Sequence, residues 1–382
     1  MKTILWIYSH PLIPEAGGTE RITSLIQRGL GKIGYNCMDI LVIDVKKEYA
    51  EYHEKEVTDI YLFLKENKVD VVINQLGQVP EFLKYFLDKG GKQWYDEGGQ
   101  IISCLHFDPK PISYYHEIKA IYHKKAHDYY LLLKAWLFAY FYSKRDMRMQ
   151  GENLSQVYNM SDAYILLSQG FIPYFKKATK LSDLSKLHCI NNPLTFEGIS
   201  DDAILEKKKN TILVVSRMYE RQKRITLVLK AWKILSQKAS MKDWNLKIVG
   251  DGPDLERYEE YVTKKGLQRV SFEKQQSPKP YYEEAKILLI TSITEGWGQT
   301  ITESFQRGVV SVAFDTSTAF HDIISDGENG FLVKEGSMSR FVKRVEQLAN
   351  DDKQWRAVAK SALHSANRFY LDKIIQKWER II

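Results

Sequence analysis

The chain has 382 residues, of which 44% are hydrophobic, 12% aromatic and 27% charged, and 55 Lys and Arg stand against 48 Asp and Glu for a formal charge of +7. At about 100–200 residues per domain this is two domains, each able to bury its own core. The aromatic content and the lack of a polar low-complexity tract exclude a disordered chain. The moderate, evenly spread positive excess argues against nucleic acid as partner while admitting acidic phosphates or an anionic membrane surface. The longest near-apolar stretch, Tyr129 to Tyr142, contains Lys134 and falls short of the roughly 20 residues that span a bilayer. Cys37, Cys104 and Cys189 are far apart and lack metal-ligand spacing, so we expect free thiols in a reducing cytosol, with neither disulfide nor zinc. The opening MKTILWIYSHPLIP lacks the long apolar region and cleavage site of a secretion signal and is expected to be a buried first strand.

Strands are expected, in chain order, over 4–8, 37–43, 69–74, 100–107, 163–168 and 187–191, then over 211–216, 245–250, 270–272, 286–292, 309–314 and 330–333. Their continuous Val, Ile and Leu runs suit strands covered on both faces, as in parallel sheets. Helical spacing separates them: Ile225, Val228, Trp232, Leu235 and Ala239 recur every three or four residues, predicting a helix over 225–239. Repeated alternation of strand and helix predicts an α/β, doubly wound architecture. Pro193 and the polar stretch 198–210 place the boundary, with a first domain over 1–193 and a second over 194–367. Near the end, Leu371, Ile374, Ile375, Trp378 and Ile382 share one helical face, which calls for a docked helix over 368–382.

Three segments could carry chemistry. In SHPLIPEAGGTER, residues 9–21, Gly17 and Gly18 stand between the first strand and the first helix, either as a phosphate loop or as a simple turn; the spacing matches neither dinucleotide nor P-loop patterns. In VVSRMYERQKRI, residues 214–225, Arg217, Arg221, Lys223 and Arg224 crowd the end of a parallel strand, where open α/β sheets bind ligands. Arg217 and Lys223 could neutralise a diphosphate, or the loop could be a solvated basic surface. In TSITEGWGQTITESFQRG, residues 291–308, Gly296 and Gly298 let a ligand approach the backbone. The N–H groups around Gly298, Gln299 and Thr300 then favour a phosphate at the helix start. Glu303 could accept two hydrogen bonds from a ribose diol and Glu295 from sugar hydroxyls; alternatively they are a helix-dipole acid and a solvated loop acid.

Taken in order, these segments resemble the retaining glycosyltransferases of the GT-B fold that carry an E-x7-E signature. The matching positions are GGTE (17–20), His106 in CLHFDP, Arg217 and Lys223 in SRMYERQKR, the loop GDGPD (250–254), and Glu295 to Glu303 around EGWG. The chain departs from the family at Ser304, Phe305, Gln306 and Arg307, where a small apolar run is common, and at Arg224, which follows Lys223 where Gly is frequent. Residues 110–160 match no pattern of the family.

The resemblance implies two Rossmann-like domains facing each other across a cleft, the last helix packing back on the first domain. It implies transfer of a sugar from a UDP- or GDP-sugar, with retained configuration and with no cofactor or metal. Arg217, Lys223 and the helix start at Gly296, Gly298, Gln299 and Thr300 would stabilise the departing diphosphate. Glu303 would hold ribose, Glu295 the sugar, with Gly17, Gly18 and His106 contributing from the first domain. The acceptor would be a glycan or a lipid-linked sugar, the latter at the inner face of a bacterial membrane if the chain meets one. Residues 119–148 bear on this, since seven basic residues and two acidic ones are interleaved with aromatics, either as an interfacial membrane segment or as a core helix with solvated ends. A nucleotide-sugar epimerase, a phosphorylase, or a non-enzymatic membrane-surface binder would share parts of this pattern.

Overall fold

The computed structural model describes residues 1–14, 17–110, 129–274 and 276–382, with backbone alone over 129–143. Two compact units form, Met1–Pro193 with Leu371–Ile382, and Leu194–Tyr370.

In the first unit the strands are β1 (Thr3–Tyr8), β2 (Asn36–Asp44), β3 (Tyr49–Tyr52), β4 (Lys55–Val57), β5 (Val69–Asn74), β6 (Gln100–Leu105), β7 (Ala163–Leu166) and β8 (Leu187–Cys189). They form one sheet in the order β4-β3-β2-β1-β5-β6-β7-β8. All pairings from β2 to β8 are parallel. Residues Thr3 to Tyr8 are all buried, as their uninterrupted apolar run requires. Helix α1 (Gly18–Lys32) follows β1 and α2 (Tyr129–Asn159) precedes β7. No helix among the described residues is long and apolar enough to cross a membrane.

The six strands expected in this half all form. The hairpin β3–β4 does not follow from the pattern, because Glu51, Lys55 and Glu56 leave no apolar run. Its pairings are antiparallel, and its turn places His53 and Glu54 at φ of 47° and 61°. That is the left-handed pair a two-residue hairpin turn requires, made here without the usual Asn-Gly signal.

In the second unit the strands are β9 (Lys209–Val215), β10 (Asn245–Val249), β11 (Val270–Glu273), β12 (Ala285–Ile290), β13 (Val310–Asp315) and β14 (Gly330–Lys334). They are wholly parallel in the order β11-β10-β9-β12-β13-β14. This is the doubly wound order in which the chain reverses direction between its first and fourth strands, β9 and β12. Helices α3 (Ile225–Leu235), α4 (Gln299–Gln306) and α5 (Asp352–Ala366) pack on it, with Ile212, Val214, Leu229, Trp232, Val312 and Trp355 in the core. The helix expected over 225–239 stops at Leu235; Ala239 belongs to a separate tight turn.

The last helix, α6 (Leu371–Glu379), belongs to the first unit, where Ile374, Ile375, Trp378 and Ile382 join Ile4, Trp6, Ile22, Ile26 and Leu30 in one core. It starts at 371, not 368. Residues 368–370 stay with the second unit because Arg368 donates to the carbonyls of Asp322 and Ile323, and the Phe369 carbonyl accepts from the Leu194 amide at 2.9 Å. None of the three cysteines forms a disulfide; Cys104 is buried and Cys37 and Cys189 partly so.

Candidate active site

The reversal between β9 and β12 brings two chain exits side by side. From β9 the chain passes through Ser216 and Arg217 into one helical turn, Glu220–Lys223. The GDGPD loop holds this turn. The Met218 amide donates to the Asp251 carbonyl at 2.8 Å, and the Glu220 amide to Asp254 Oδ2 at 2.8 Å. The Glu220 carboxylate in turn accepts from Tyr258 Oη and from the Thr226 amide at the head of α3. The far side of the turn is tied to the exit of β12, where the Ile293 amide donates to the Gln222 carbonyl and Thr291 Oγ1 to the Lys223 carbonyl, at 2.8 and 2.9 Å.

Arg224 explains its departure from the family pattern. It sits at φ 52°, a conformation that favours glycine. Its guanidinium compensates by donating to the Thr291 and Ser292 carbonyls at 2.6 and 3.0 Å, and to Glu335 Oε1 at 2.6 Å. A glycine could supply the turn but not this brace.

The result is a close pairing of two expected site residues. Lys223 Nζ lies 2.5 Å from Glu295 Oε1, each side chain 18% exposed. A recess at the ends of β9 and β12 is lined by Ser216, Lys223, Thr291, Ser292, Glu295 and Thr300. Arg217, the residue after Ser216, is exposed. Beyond Glu295, whose carbonyl accepts from Ser317 Oγ at 2.9 Å, Gly296 and Trp297 lead to Gly298, the residue before α4. Gly298 has φ 101°, a conformation that favours glycine, and a Cβ there would crowd the Phe320 ring at 3.0 Å. Among the described residues no side chain caps α4, and its first turn carries no acid. The amides at Gln299 and Thr300 therefore present positive potential at the helix start.

Glu303, one turn further, is only 4% exposed. Its Oε1 accepts from Thr195 Oγ1 at 2.7 Å and its Oε2 from Tyr282 Oη at 3.0 Å. The remaining departures on α4 have a shared purpose. Gln306 Nε2 donates to the Phe196 and Gly198 carbonyls, and Arg307 to those of Glu197 and Gly198. Ser304 Oγ meets Ser311 Oγ at 2.8 Å in the core beside the buried Phe305. A polar α4 thus anchors the segment 195–200.

In the first unit, the carboxyl ends of β1, β5 and β6 gather Gly17, Gly18, Glu20, Gln75 and His106. His106 Nε2 lies 2.5 Å from Gln75 Oε1. Burial pushes the His106 pKa down to about 4, opposed by the charge of Glu20. Gly17 precedes α1 with extended backbone. The Glu20 carboxylate folds back against it, so that a Cβ on Gly17 would stand 2.2 Å from Oε2. Oε1 of the same carboxylate lies 3.3 Å from Nε2 of the exposed His10.

The structure therefore gathers Arg217, Lys223, Glu295, Gly296, Gly298, Gln299, Thr300 and Glu303 in the second unit, and Gly17, Gly18 and His106 in the first. Sequence reasoning missed Thr195, Tyr282 and Gln75, and did not single out His10 within the segment 9–21. Each meets a side chain already named, and only the folded chain pairs them.

The fold is that of the GT-B glycosyltransferases. HepE from Anabaena in complex with UDP-glucose aligns over 100% of this chain and 99% of its own, with a TM-score of 0.70 at 15% identity. Residues 196–364, which lie within the second unit, match the model of the family Glycosyl transferases group 1. Among curated relatives, an uncharacterized glycosyltransferase of Haemophilus influenzae is 30% identical over 195 residues, which cover 50% of this chain and 54% of the relative. The amylovoran biosynthesis glycosyltransferase AmsD of Erwinia amylovora is 26% identical over 235 residues, covering 59% of this chain and 63% of AmsD. The chain thus spans between half and two thirds of the length of these two relatives.

Proposed function

We propose that this chain is a retaining glycosyltransferase that moves a sugar from a UDP- or GDP-sugar to a glycan or lipid-linked acceptor, in bacterial cell-surface polysaccharide synthesis. The observation that carries this reading is the pairing of Lys223 with Glu295 at the β9–β12 reversal, beside an uncapped helix start and an exposed Arg217. A parallel sheet binds its ligand at this reversal. The family match of the second unit, the role of AmsD in amylovoran biosynthesis and the UDP-glucose complex of HepE support it.

The residues supply the chemistry. As the bond from the anomeric carbon to the diphosphate oxygen breaks, its electron pair stays on the diphosphate. Arg217, Lys223 and the amides at Gly298, Gln299 and Thr300 stabilise that charge without calling on a divalent cation or a cofactor. Glu295 holds sugar hydroxyls and favours the positive charge developing on the ring, and Glu303 holds the ribose. The acceptor hydroxyl attacks the face the diphosphate leaves, and its proton passes to a diphosphate oxygen, so configuration is retained and a nucleoside diphosphate is released. In this scheme Gly17, Gly18 and His106 serve the sugar and acceptor side. The test is a thermal-shift screen with UDP and GDP, followed by a panel of nucleotide-sugars. We expect stabilisation by one nucleotide, lost in Glu303→Ala; no response to either refutes the proposal.

We propose further that the enzyme works peripherally on the inner face of the membrane. Of the stretch 119–148, residues 119–128 lie outside the described residues. Its end does not: Lys144, Arg145 and Arg148 are exposed on α2 together with Met147 at 40% and Met149 at 46%. Basic and apolar side chains mixed on an exposed helix suit an anionic lipid surface.

A further inference from the structure

Resting on the reading that Glu303 receives the donor's ribose, we infer that Tyr282 and Thr195 are positioning residues that fix the Glu303 carboxylate as a preorganised acceptor for the ribose diol. The two hydroxyls approach from different elements: Thr195 from the segment entering the second unit, Tyr282 from the helix Lys279–Glu284 before β12. Each takes one carboxylate oxygen, at 2.7 and 3.0 Å. Tyr282 is fully buried, and its Oη also lies 3.4 Å from the Thr300 carbonyl.

A glutamate's terminal torsion is broad and nearly two-fold, so an unbraced carboxylate samples many planes. A ribose diol needs one plane, since its two hydroxyls donate together. One donor on each oxygen removes that freedom in advance, and a carboxylate retains acceptor capacity beyond one bond per oxygen. Preorganisation of this kind raises affinity by lowering the ordering cost of binding.

The brace is itself braced. Phe196, next to Thr195, packs edge-on against the Tyr282 ring at 5.8 Å. Gln306 and Arg307 pin the backbone of 196–198 to the helix that carries Glu303. A site needing only stability would be served as well by apolar side chains of the same shape, because exchanging both hydrogen-bond partners for such groups is nearly neutral. The chain instead spends four polar side chains on orienting one buried carboxylate.

The experiment is calorimetric titration of the full chain with UDP and with 2′,3′-dideoxy-UDP, or the guanosine pair if GDP is the nucleotide that stabilises it. The variants are Tyr282→Phe, Thr195→Val and Thr195→Ser, with melting temperature recorded in parallel. We expect Tyr282→Phe and Thr195→Val each to weaken the natural nucleotide by about 10- to 150-fold, the scale of one hydrogen bond to a charged group. The dideoxy analogue should change by less than about twofold, and Thr195→Ser should restore binding. Equal weakening of both ligands, or of neither, overturns the inference and leaves the pair a structural contact. If the unmutated chain binds UDP and its dideoxy analogue alike, the ribose role of Glu303 falls and the inference with it, while the transferase reading stands. Absence of binding by either nucleotide removes that reading itself.

Discussion

Lys223 and Arg217 are proposed to act on one diphosphate, yet the structure sets them in opposite circumstances, and this separates catalysis from stability. Lys223 is paired with Glu295 at 2.5 Å, each 18% exposed. At an effective dielectric near 20, unit charges about 4 Å apart interact by roughly 4 kcal/mol before desolvation. Solvent screening and desolvation leave about 1–3 kcal/mol as the cost of stranding Glu295 in Lys223→Met. Arg217 is exposed, so Arg217→Met should change stability by no more than about 0.5 kcal/mol. Each variant removes one preorganised charge from the leaving group, worth about 10²–10³ in kcat. The decisive variant is Lys223→Met with Glu295→Gln, in which no charge is left unpaired: stability should recover, and activity should not. The assays are urea unfolding and initial rates with the preferred nucleotide-sugar. Activity returning together with stability would refute the argument, as would an Arg217→Met enzyme within about threefold of the parent in kcat/KM.

His106 should make stability depend on pH. Its pKa is held at about 4, below its ordinary value, so between pH 6.5 and 4 the unfolded chain binds the extra proton. Stability is then complete above about pH 6.5 and declines as pH falls towards 4, by up to about 3 kcal/mol; His106→Gln should flatten that slope, and an unchanged slope assigns it to other groups. Trp378 is 3% exposed and its indole N–H has no partner among the described residues. Trp378→Ala should cost about 3–5 kcal/mol by denaturant unfolding, Trp378→Phe less than about 1.5 kcal/mol; equal losses would mean the N–H matters. In liposome flotation the chain should bind anionic vesicles at low salt and lose about 1 kcal/mol of affinity per basic residue removed among Lys144, Arg145 and Arg148. Failure to float at low salt rejects the membrane proposal.

The parallel sheets were legible because buried strands must be apolar on both faces, and in the second unit 211–216, 245–250 and 286–292 announce that without ambiguity. The hairpin β3–β4 was hidden for the converse reason: it lies at a sheet edge, where Glu51 and Lys55 remain in water. The boundary near 193 is marked by Pro193, whereas the return to the first unit is set by Arg368 and Phe369, whose hydrogen bonds to the second unit leave no local trace. The site divides in the same way. Lys223, Glu295 and Gly298 stand in contiguous motifs because one strand exit must supply several groups at once. Tyr282 and Thr195 meet Glu303 across sequence separations of 21 and 108 residues, and nothing local distinguishes them from a core tyrosine and a linker threonine. Gln306 and Arg307 read as departures from a family pattern and are instead the anchor of 195–200.

The two units place a glycine before a helix at comparable positions, after β1 and after β12, but the helix starts differ in charge. At α4, among the described residues, no acid stands in the first turn and no side chain caps the helix, so the amide dipoles there favour a diphosphate. At α1 the Glu20 carboxylate already lies against Gly17 and beside His10. A phosphate arriving there would have to expel that carboxylate or accept its repulsion, whereas the neutral hydroxyls of a sugar would find in it an acceptor. On the proposed function, the donor's negative charge is assigned to α4 and the basic turn, and Glu20 to neutral hydroxyls of a substrate. Glu20→Gln tests this division directly. It should leave UDP affinity within about twofold while lowering kcat/KM for the nucleotide-sugar, because only the sugar loses a partner. A tenfold gain in UDP affinity, the signature of relieved charge repulsion, would place phosphate at α1 and overturn the assignment.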